Sequence, residues 1–368
     1  MNYDPILKYE EKAIFALRAL YRQYGYKSFK MSKFEEYDLY VRNKDFLISD
    51  SVITFNDTNG RLLALKPDVT LSIIKNGVDA PGCLQKVYYN ENVYRVSGST
   101  HSYKEIMQTG LECIGDVSPS DVFEVVYLAA KSLATVSENF VLDISHMGIL
   151  SAILDEASHD EVFQKKLIGL ISEKNRHGIA ALCMEFGIAD RATEKLLLLS
   201  DAYGTPSKVI PMLRSIATEG KAKTALASLT DLLSLLSETE LSDHIRVDFS
   251  VVNDMNYYNG ILFKGFLSGI CEGVLSGGEY GLLMRRMGRK SNAIGFALYL
   301  DLLADLDTEK NEYDMDVLIL YDEDTPVSAL VKKKNEMINS GRSVIALKAV
   351  PKGLRYKELC KMENGGAV

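Results

Sequence analysis

VYRVSGSTHSYKEIMQTGLECIG, residues 93–115, carries the decisive pattern of this chain. With the run that precedes it, it predicts two antiparallel strands, 87–94 and 106–115, joined by a polar loop. Gln108 and Glu112 are an even number of residues apart, so a strand projects both from one face. Glu112 stands in the apolar stretch LECIG, where an unpaired carboxylate is costly and demands a partner. Arg95 follows the strand-like run VYYNENVY, and its planar guanidinium is a two-pronged donor suited to a carboxylate or a phosphate.

Two later stretches extend the pattern: NDMNYYNGILF (253–263) and GGEYGLLMRRMGRKSNAIGFALYLDLL (277–303). In this order the three resemble motif 2, the histidine-specific tyrosine motif and motif 3 of class II histidyl-tRNA synthetases. YKSFKMSKFEEYDLY (26–40) resembles motif 1, the dimer-forming element, with Ser32 in place of its usual proline. The likeness spans residues 3–303 and implies an α+β fold: an antiparallel sheet of the class II synthetase type, flanked by helices.

The resemblance also implies a pocket. Asp68 and Thr70, after the strand RLLALKP, match the pair that holds an α-amino group. Gln108 would lie near that amino group and Glu112 near an imidazole, with Tyr257 and Tyr258 closing over the ring. Arg95 matches the arginine that binds the substrate carboxylate and α-phosphate. Two carboxylates, a hydroxyl, an amide and phenols suit a cationic amine or imidazole. Two readings of the cluster stay open: a pocket that still binds, and a fossil whose polar groups satisfy one another.

At the positions where a synthetase grips ATP and activates the carboxylate, arginine is missing. Asn253, Glu279 and Leu302 stand there instead. Asp254 and Asn256 replace a glycine and an aspartate, and the acidic residue after the motif 2 arginine is Ser97. Asparagine has no fixed charge, glutamate repels phosphate, and leucine contributes nothing electrostatic. Aminoacylation is therefore not expected. The group on this fold that lost catalysis in this way is the regulatory subunits of ATP phosphoribosyltransferase. That likeness implies a non-catalytic chain without cofactor, partnered by a short-form catalytic subunit that joins ATP and phosphoribosyl pyrophosphate in the first step of histidine synthesis. It implies support of that activity, transmission of histidine inhibition, histidine as a ligand, and a homodimer within a larger hetero-oligomer. The alternative is a catalytically dead paralogue that modulates another partner or binds RNA.

Composition agrees. The 368 residues are 47% hydrophobic, enough for a large core. A net charge of −8 disfavours RNA, because a protein that neutralises many phosphates usually carries a basic face. Cys83, Cys113, Cys183, Cys271 and Cys360 are scattered and read as free thiols in a reducing, cytoplasmic setting. The histidines (His101, His146, His159, His177, His244) lack metal-ligand spacing. No apolar run approaches the roughly 20 residues of a membrane-spanning helix, and the N-terminus does not read as a signal peptide. Arg285, Arg286, Arg289 and Lys290 form a basic run that reads as a solvated face.

Along the chain, 6–24 has helical spacing, with Asp4-Pro5 as its start and Gly25 as its end. SVITF and RLLAL flank a hairpin turn at Asp57-Thr58-Asn59-Gly60, and 66–70 opens a helix. A helix is expected over 120–137 and a strand over 141–144. About five helices are expected in an insertion over 148–241, then strands at 245–252, 260–269 and 270–275. The glycines at 277 and 278 read as a strand-to-helix turn into a helix over 280–287, and another helix is expected from about Ala293. The core is expected over 1–305 and a small α/β module, resembling a shortened anticodon-binding domain, over 306–368. In the module, 315–321, 328–340 and 343–350 make a β-α-β unit.

Overall fold

Chain order in the computed structural model follows the apolar pattern closely. The structure describes residues 7–43, 52–77, 80, 82–96, 102–252, 257–306, 313–363 and 366–367. Helix α1 (Tyr9–Gln23) leads to strands β1 (Lys27–Ser28) and β2 (Phe34–Glu36) and to helix α2 (Tyr37–Arg42). Strands β3 (Thr54–Asn56) and β4 (Leu62–Leu65) form the hairpin, turned at Gly60 with φ 79°, and helix α3 (Thr70–Asn76) follows. The long strands β5 (Leu84–Val96) and β6 (Tyr103–Gly115) precede α4 (Pro119–Val136) and β7 (Phe140–His146). The insertion holds α5 (Met147–Ala157), α6 (Glu161–Ser172), α7 (Arg176–Glu185), α8 (Asp190–Ser200), β8 (Tyr203–Gly204), α9 (Pro206–Ile216) and α10 (Gly220–Ser237). The chain then returns through β9 (Ile245–Asp248), β10 (Ile261–Leu267), β11 (Leu275–Glu279), α11 (Gly281–Arg286) and β12 (Asn292–Tyr299).

These strands build one nine-stranded sheet in the order β1-β5-β6-β12-β11-β10-β7-β9-β8. The run from β5 to β7 is antiparallel throughout, as expected, while β1 on β5 and β7 on β9 are parallel. A separate three-stranded sheet pairs β2, β4 and β3. Period-two alternation divides the large sheet. Leu111, Cys113, Leu142, Ile144, Ile294 and Leu298 are buried in the core with Leu17 and Tyr21 of α1 and Val125, Ala129 and Leu133 of α4. The alternate residues form the floor of a polar trough. Helix α4 is fixed at its start by a reciprocal cap, in which Ser118 and Asp121 each accept from the other's backbone N–H.

The second unit, Asp307–Val368, has its own core around Val317, Ile319, Met337, Cys360 and Met362. Its strands are β13 (Met315–Tyr321), β14 (Val344–Leu347), β15 (Tyr356–Glu363) and β16 (Gly366–Ala367), with helix α12 (Val327–Asn339) between β13 and β14. β13 lies parallel to both β14 and β15.

Several expectations need correction. Helix α1 begins at Tyr9 with Lys8 as its cap, and Asp4 and Pro5 lie outside the described residues. The insertion has six helices among the described residues, not five. Residues 270–274 are not a strand, and the strand at 245–252 ends at Asp248. Gly277 and Gly278 lie within β11 rather than in a turn. Side chains there would strike the Phe263 ring at 2.8 Å and the Tyr258 ring at 2.8 Å respectively. The helix expected from Ala293 is strand β12, paired on both sides by β6 and β11. A strand buried on both faces is apolar without alternation, so periodicity alone cannot separate it from a buried helix. Strand β15 was missed because its charged residues alternate with only two buried ones, Cys360 and Met362.

Candidate ligand-binding trough

Asp68, Thr70, Arg95, Gln108, Glu112, Tyr257 and Tyr258 all line one cavity of about 750 Å³ on the polar face of the sheet. The secondary structure explains how they converge. Gln108 and Glu112 project from β6, Arg95 from the end of β5, and Asp68 and Thr70 from the start of α3. Tyr257 and Tyr258 precede β10, their rings 4.5 Å apart between centroids.

Glu112 is the centre of the arrangement and is only 2% exposed. Its Oε1 accepts from the Thr70 hydroxyl at 2.8 Å, and its Oε2 accepts from the Tyr280 hydroxyl at 2.5 Å. The carboxylate rests on Gly295 of β12, where any side chain would collide with Oε2. Burial raises its pKa to about 8; the two hydroxyls pull it down, and the neighbouring Asp68 charge pushes it up. Asp68 itself is held above the ordinary carboxylate range by burial, opposed by the Leu71 N–H and by Arg95. Arg95 donates from Nε to the Pro67 carbonyl at 3.1 Å, which fixes its stem. Gln108 is 3% exposed, and its Nε2 has no partner among the described residues. A buried amide donor left open in a cavity is positioned for an acceptor on a ligand. The phenols of Tyr257, Tyr258 and Tyr280 are all held protonated by burial, and so serve as donors.

The chain matches the family model described as Histidyl-tRNA synthetase over residues 4–303. It is 31% identical over 288 residues to the ATP phosphoribosyltransferase regulatory subunit of Oceanobacillus iheyensis, covering 77% of this chain and 71% of the relative. It is 29% identical over 318 residues to the protein of that name in Acetivibrio thermocellus, covering 84% and 76%. The chain belongs to the histidyl-tRNA synthetase-like family of ATP phosphoribosyltransferase regulatory subunits. Solved structures share the fold. An ATP phosphoribosyltransferase regulatory subunit/histidyl-tRNA synthetase from Bacillus halodurans C aligns with TM-score 0.77 at 24% identity, covering 96% of this chain and 93% of that one. The ATP phosphoribosyl transferase (HisG:HisZ) complex from Thermotoga maritima aligns with TM-score 0.63 at 20% identity, covering 78% and 96%.

Of the positions at which this regulatory-subunit family member departs from a synthetase, the two that are described, Glu279 and Leu302, do not line the trough. Asn253, Asp254, Asn256 and Ser97 lie outside the described residues. Glu279 does not line the cavity; its carboxylate accepts the Ile261 N–H at 2.6 Å and lies against Gly260. The expected repulsion of phosphate by Glu279 therefore has no place in the trough, although the missing cation is still missing. Leu302 packs against the apolar core. Of the basic run, Arg289 donates to the Ile74 and Lys75 carbonyls, which ties it to the end of α3.

Sequence reading missed Tyr280, Tyr89, Asp143 and Asp248, all of which line the same cavity. Asp143 carried the signal that singled out Glu112: a lone carboxylate in an apolar strand, VLDIS. Among the described residues, no group of three or more His, Cys, Asp or Glu could hold a metal ion. No helix among them is long and apolar enough to cross a membrane.

Proposed function

We propose that the chain is a non-catalytic regulatory subunit that supports a short-form ATP phosphoribosyltransferase catalytic subunit and carries its inhibition by histidine. The observation that carries this reading is the Glu112 carboxylate, held by Thr70 and Tyr280 in one trough with Asp68, Arg95 and the open amide of Gln108. Histidine fits these groups in kind. Its ammonium meets Asp68 and Thr70, its imidazole N–H meets Glu112, and its carboxylate meets Arg95. Gln108, which the resemblance puts near the amino group, offers its open amide N–H to that carboxylate instead. A few charge-assisted hydrogen bonds, each about 1.5–3 kcal/mol, give micromolar affinity after the entropic cost of association. An effector must favour one state of the complex, or it shifts nothing. Bound histidine therefore stabilises a less active arrangement of the hetero-oligomer.

The reading includes a homodimer formed through the core. Phe34 (47% exposed) and Phe55 meet edge to face at 5.7 Å on the small β2-β4-β3 sheet, on the face that also carries their cross-strand partners Leu65 and Leu63. Phe34 belongs to the segment 26–40 that resembles motif 1, and an exposed apolar patch of this kind favours association.

The test is reconstitution with the short catalytic subunit. Co-purification and histidine inhibition are expected, with Tyr258→Phe less sensitive to histidine yet still assembled. A wild-type complex that histidine does not inhibit, or a chain that never co-purifies with that subunit, would overturn the proposal.

A further inference from the structure

The cavity is larger than one amino acid requires. Pockets of roughly 300–1,000 Å³ hold drug-sized ligands, and this one, at about 750 Å³, runs on past Glu112 to β7 and β9. At that far end stands Asp143, 8% exposed, whose Oδ1 is buried and has no hydrogen-bond partner among the described residues.

Its isolation is unusual because cations surround it. Asp143 is in register with Arg246 on β9 and with Lys264 on β10. Arg246 donates instead to the Asp243 and Ile245 carbonyls, and the Lys264 amine lies 5.5 Å from the Phe266 ring centroid. The adjacent acid, Asp248, is satisfied: Lys174 donates to its Oδ2 at 2.9 Å and the Ser250 N–H to its Oδ1. Asp143 alone is left open, with its pKa raised to about 6 by burial and by Asp248.

Lys174 adds an independent sign that this corner is built. It follows α6 with φ 53°, the one described non-glycine residue in the left-handed region. Glycine ordinarily ends a helix there, because a side chain costs about 1–2 kcal/mol in that conformation. In that conformation the lysine reaches Asp248 and the Tyr203 ring, 4.1 Å away, while Ser172 at the end of the same helix lines the trough.

We propose that Asp143 is the anionic anchor of a second subsite in the trough, separate from Glu112, which takes a protonated amine or guanidinium group beside Ser172 of the insertion and the Asp248–Lys174 pair. The ligand N–H groups supply the hydrogen bonds that Asp143 lacks. Ser172, Ser250 and Ser276 add neutral polar contacts around it. The same Lys174 charge restrains the affinity, since it lies against the neighbouring acid.

The probe is 1,4-diaminobutane, with 1,4-butanediol as the neutral control, in ligand-observed NMR titrations of the full chain. The diamine is expected to bind and the diol not. Asp143→Asn should weaken the diamine by about ten-fold or more, the value of one charge-assisted hydrogen bond. It should also leave the fold intact, since asparagine is near-isosteric and relieves a buried charge; far-UV circular dichroism checks this. Lys174→Gly should tighten the diamine about two- to five-fold, by removing an exposed competing cation while accommodating the left-handed backbone. Glu112→Gln should leave diamine affinity unchanged, whereas histidine affinity should respond to Glu112→Gln and not to Asp143→Asn. That reciprocal pattern separates this subsite from the histidine reading, and either can fail without the other. No diamine binding, equal binding of the diol, equal affinity in Asp143→Asn, or a loss in Glu112→Gln matching that in Asp143→Asn would each overturn the proposal.

Discussion

Replacing Glu112 by glutamine isolates the most perturbed acid on the trough floor. The wild-type carboxyl titrates near 4.5 when unfolded and at about 8 when folded. Between those values the folded chain holds a proton that the unfolded chain has released, so stability falls as pH rises. It is fully present below 4.5 and lost as pH passes about 8. At 1.36 kcal/mol per pH unit, the span corresponds to roughly 5 kcal/mol. Glutamine does not titrate, but it has only one acceptor oxygen, so either Thr70 or Tyr280 loses its partner at a cost of about 1–3 kcal/mol. The two effects oppose each other. At pH 5 the variant should be less stable than wild type by up to about 2 kcal/mol, and at pH 8.5 more stable by roughly 2–4 kcal/mol. Urea unfolding at fixed ionic strength, at pH 5, 6.5 and 8.5, reads the difference as a shift of midpoint at constant slope. Titrating groups that do not interact with Glu112 are common to both chains and cancel, and Asp68, which does, is relieved of a neighbouring charge in the variant. If the two stabilities ran parallel from pH 5 to 8.5, Glu112 would not carry a displaced proton and the electrostatic account of the trough would be wrong.

Three further outcomes are expected. Ser118→Ala should lower stability by about 1 kcal/mol in urea unfolding, through loss of the α4 cap. Gly295→Ala forces a methyl group into the Glu112 carboxylate and should cost about 1–3 kcal/mol or more, with histidine binding lost in calorimetry before the fold is. Phe34→Glu places a charge on the exposed β2-β4-β3 face and should shift the sedimentation coefficient of the chain at micromolar concentration from dimer to monomer, with unfolding unchanged. A sedimentation profile identical to wild type would remove that face from the dimer interface.

What the sequence disclosed and what it withheld follow from where the information lies. The seven pocket residues were legible because each belongs to a short stretch with its own pattern, and those stretches keep their order along the chain. Tyr280 was not, because its pairing with Glu112 spans 168 positions and depends on β11, β12 and β6 lying side by side. Gly295 was available as a signal: a lone glycine in an apolar run marks close backbone approach. It was absorbed instead into a helix reading from about Ala293, which burial on both faces of β12 made equally plausible by period. Asp143 had the same signature as Glu112 but no surrounding motif, and only the cavity shows that the two share a floor.

That shared floor bears on why such a trough suits a sensor better than a synthetase. Its lining carries four acids, Asp68, Glu112, Asp143 and Asp248, against Arg95 and Lys264. A triphosphate brought into this field would meet more acids than bases and would need fixed cations to offset them. Glu279 and Leu302 supply none: one carboxylate is occupied by the Ile261 N–H, and the leucine is packed into the core. An amine meets the opposite situation, since the buried acids regain full charge as it docks. Activation of a bound carboxylate needs phosphate held beside it, whereas sensing needs only that the ligand stay long enough to bias one arrangement over another. In the proposed reading, losing the phosphate clamps while keeping Glu112 between Thr70 and Tyr280 separates those two demands: an amino acid would be held without being activated.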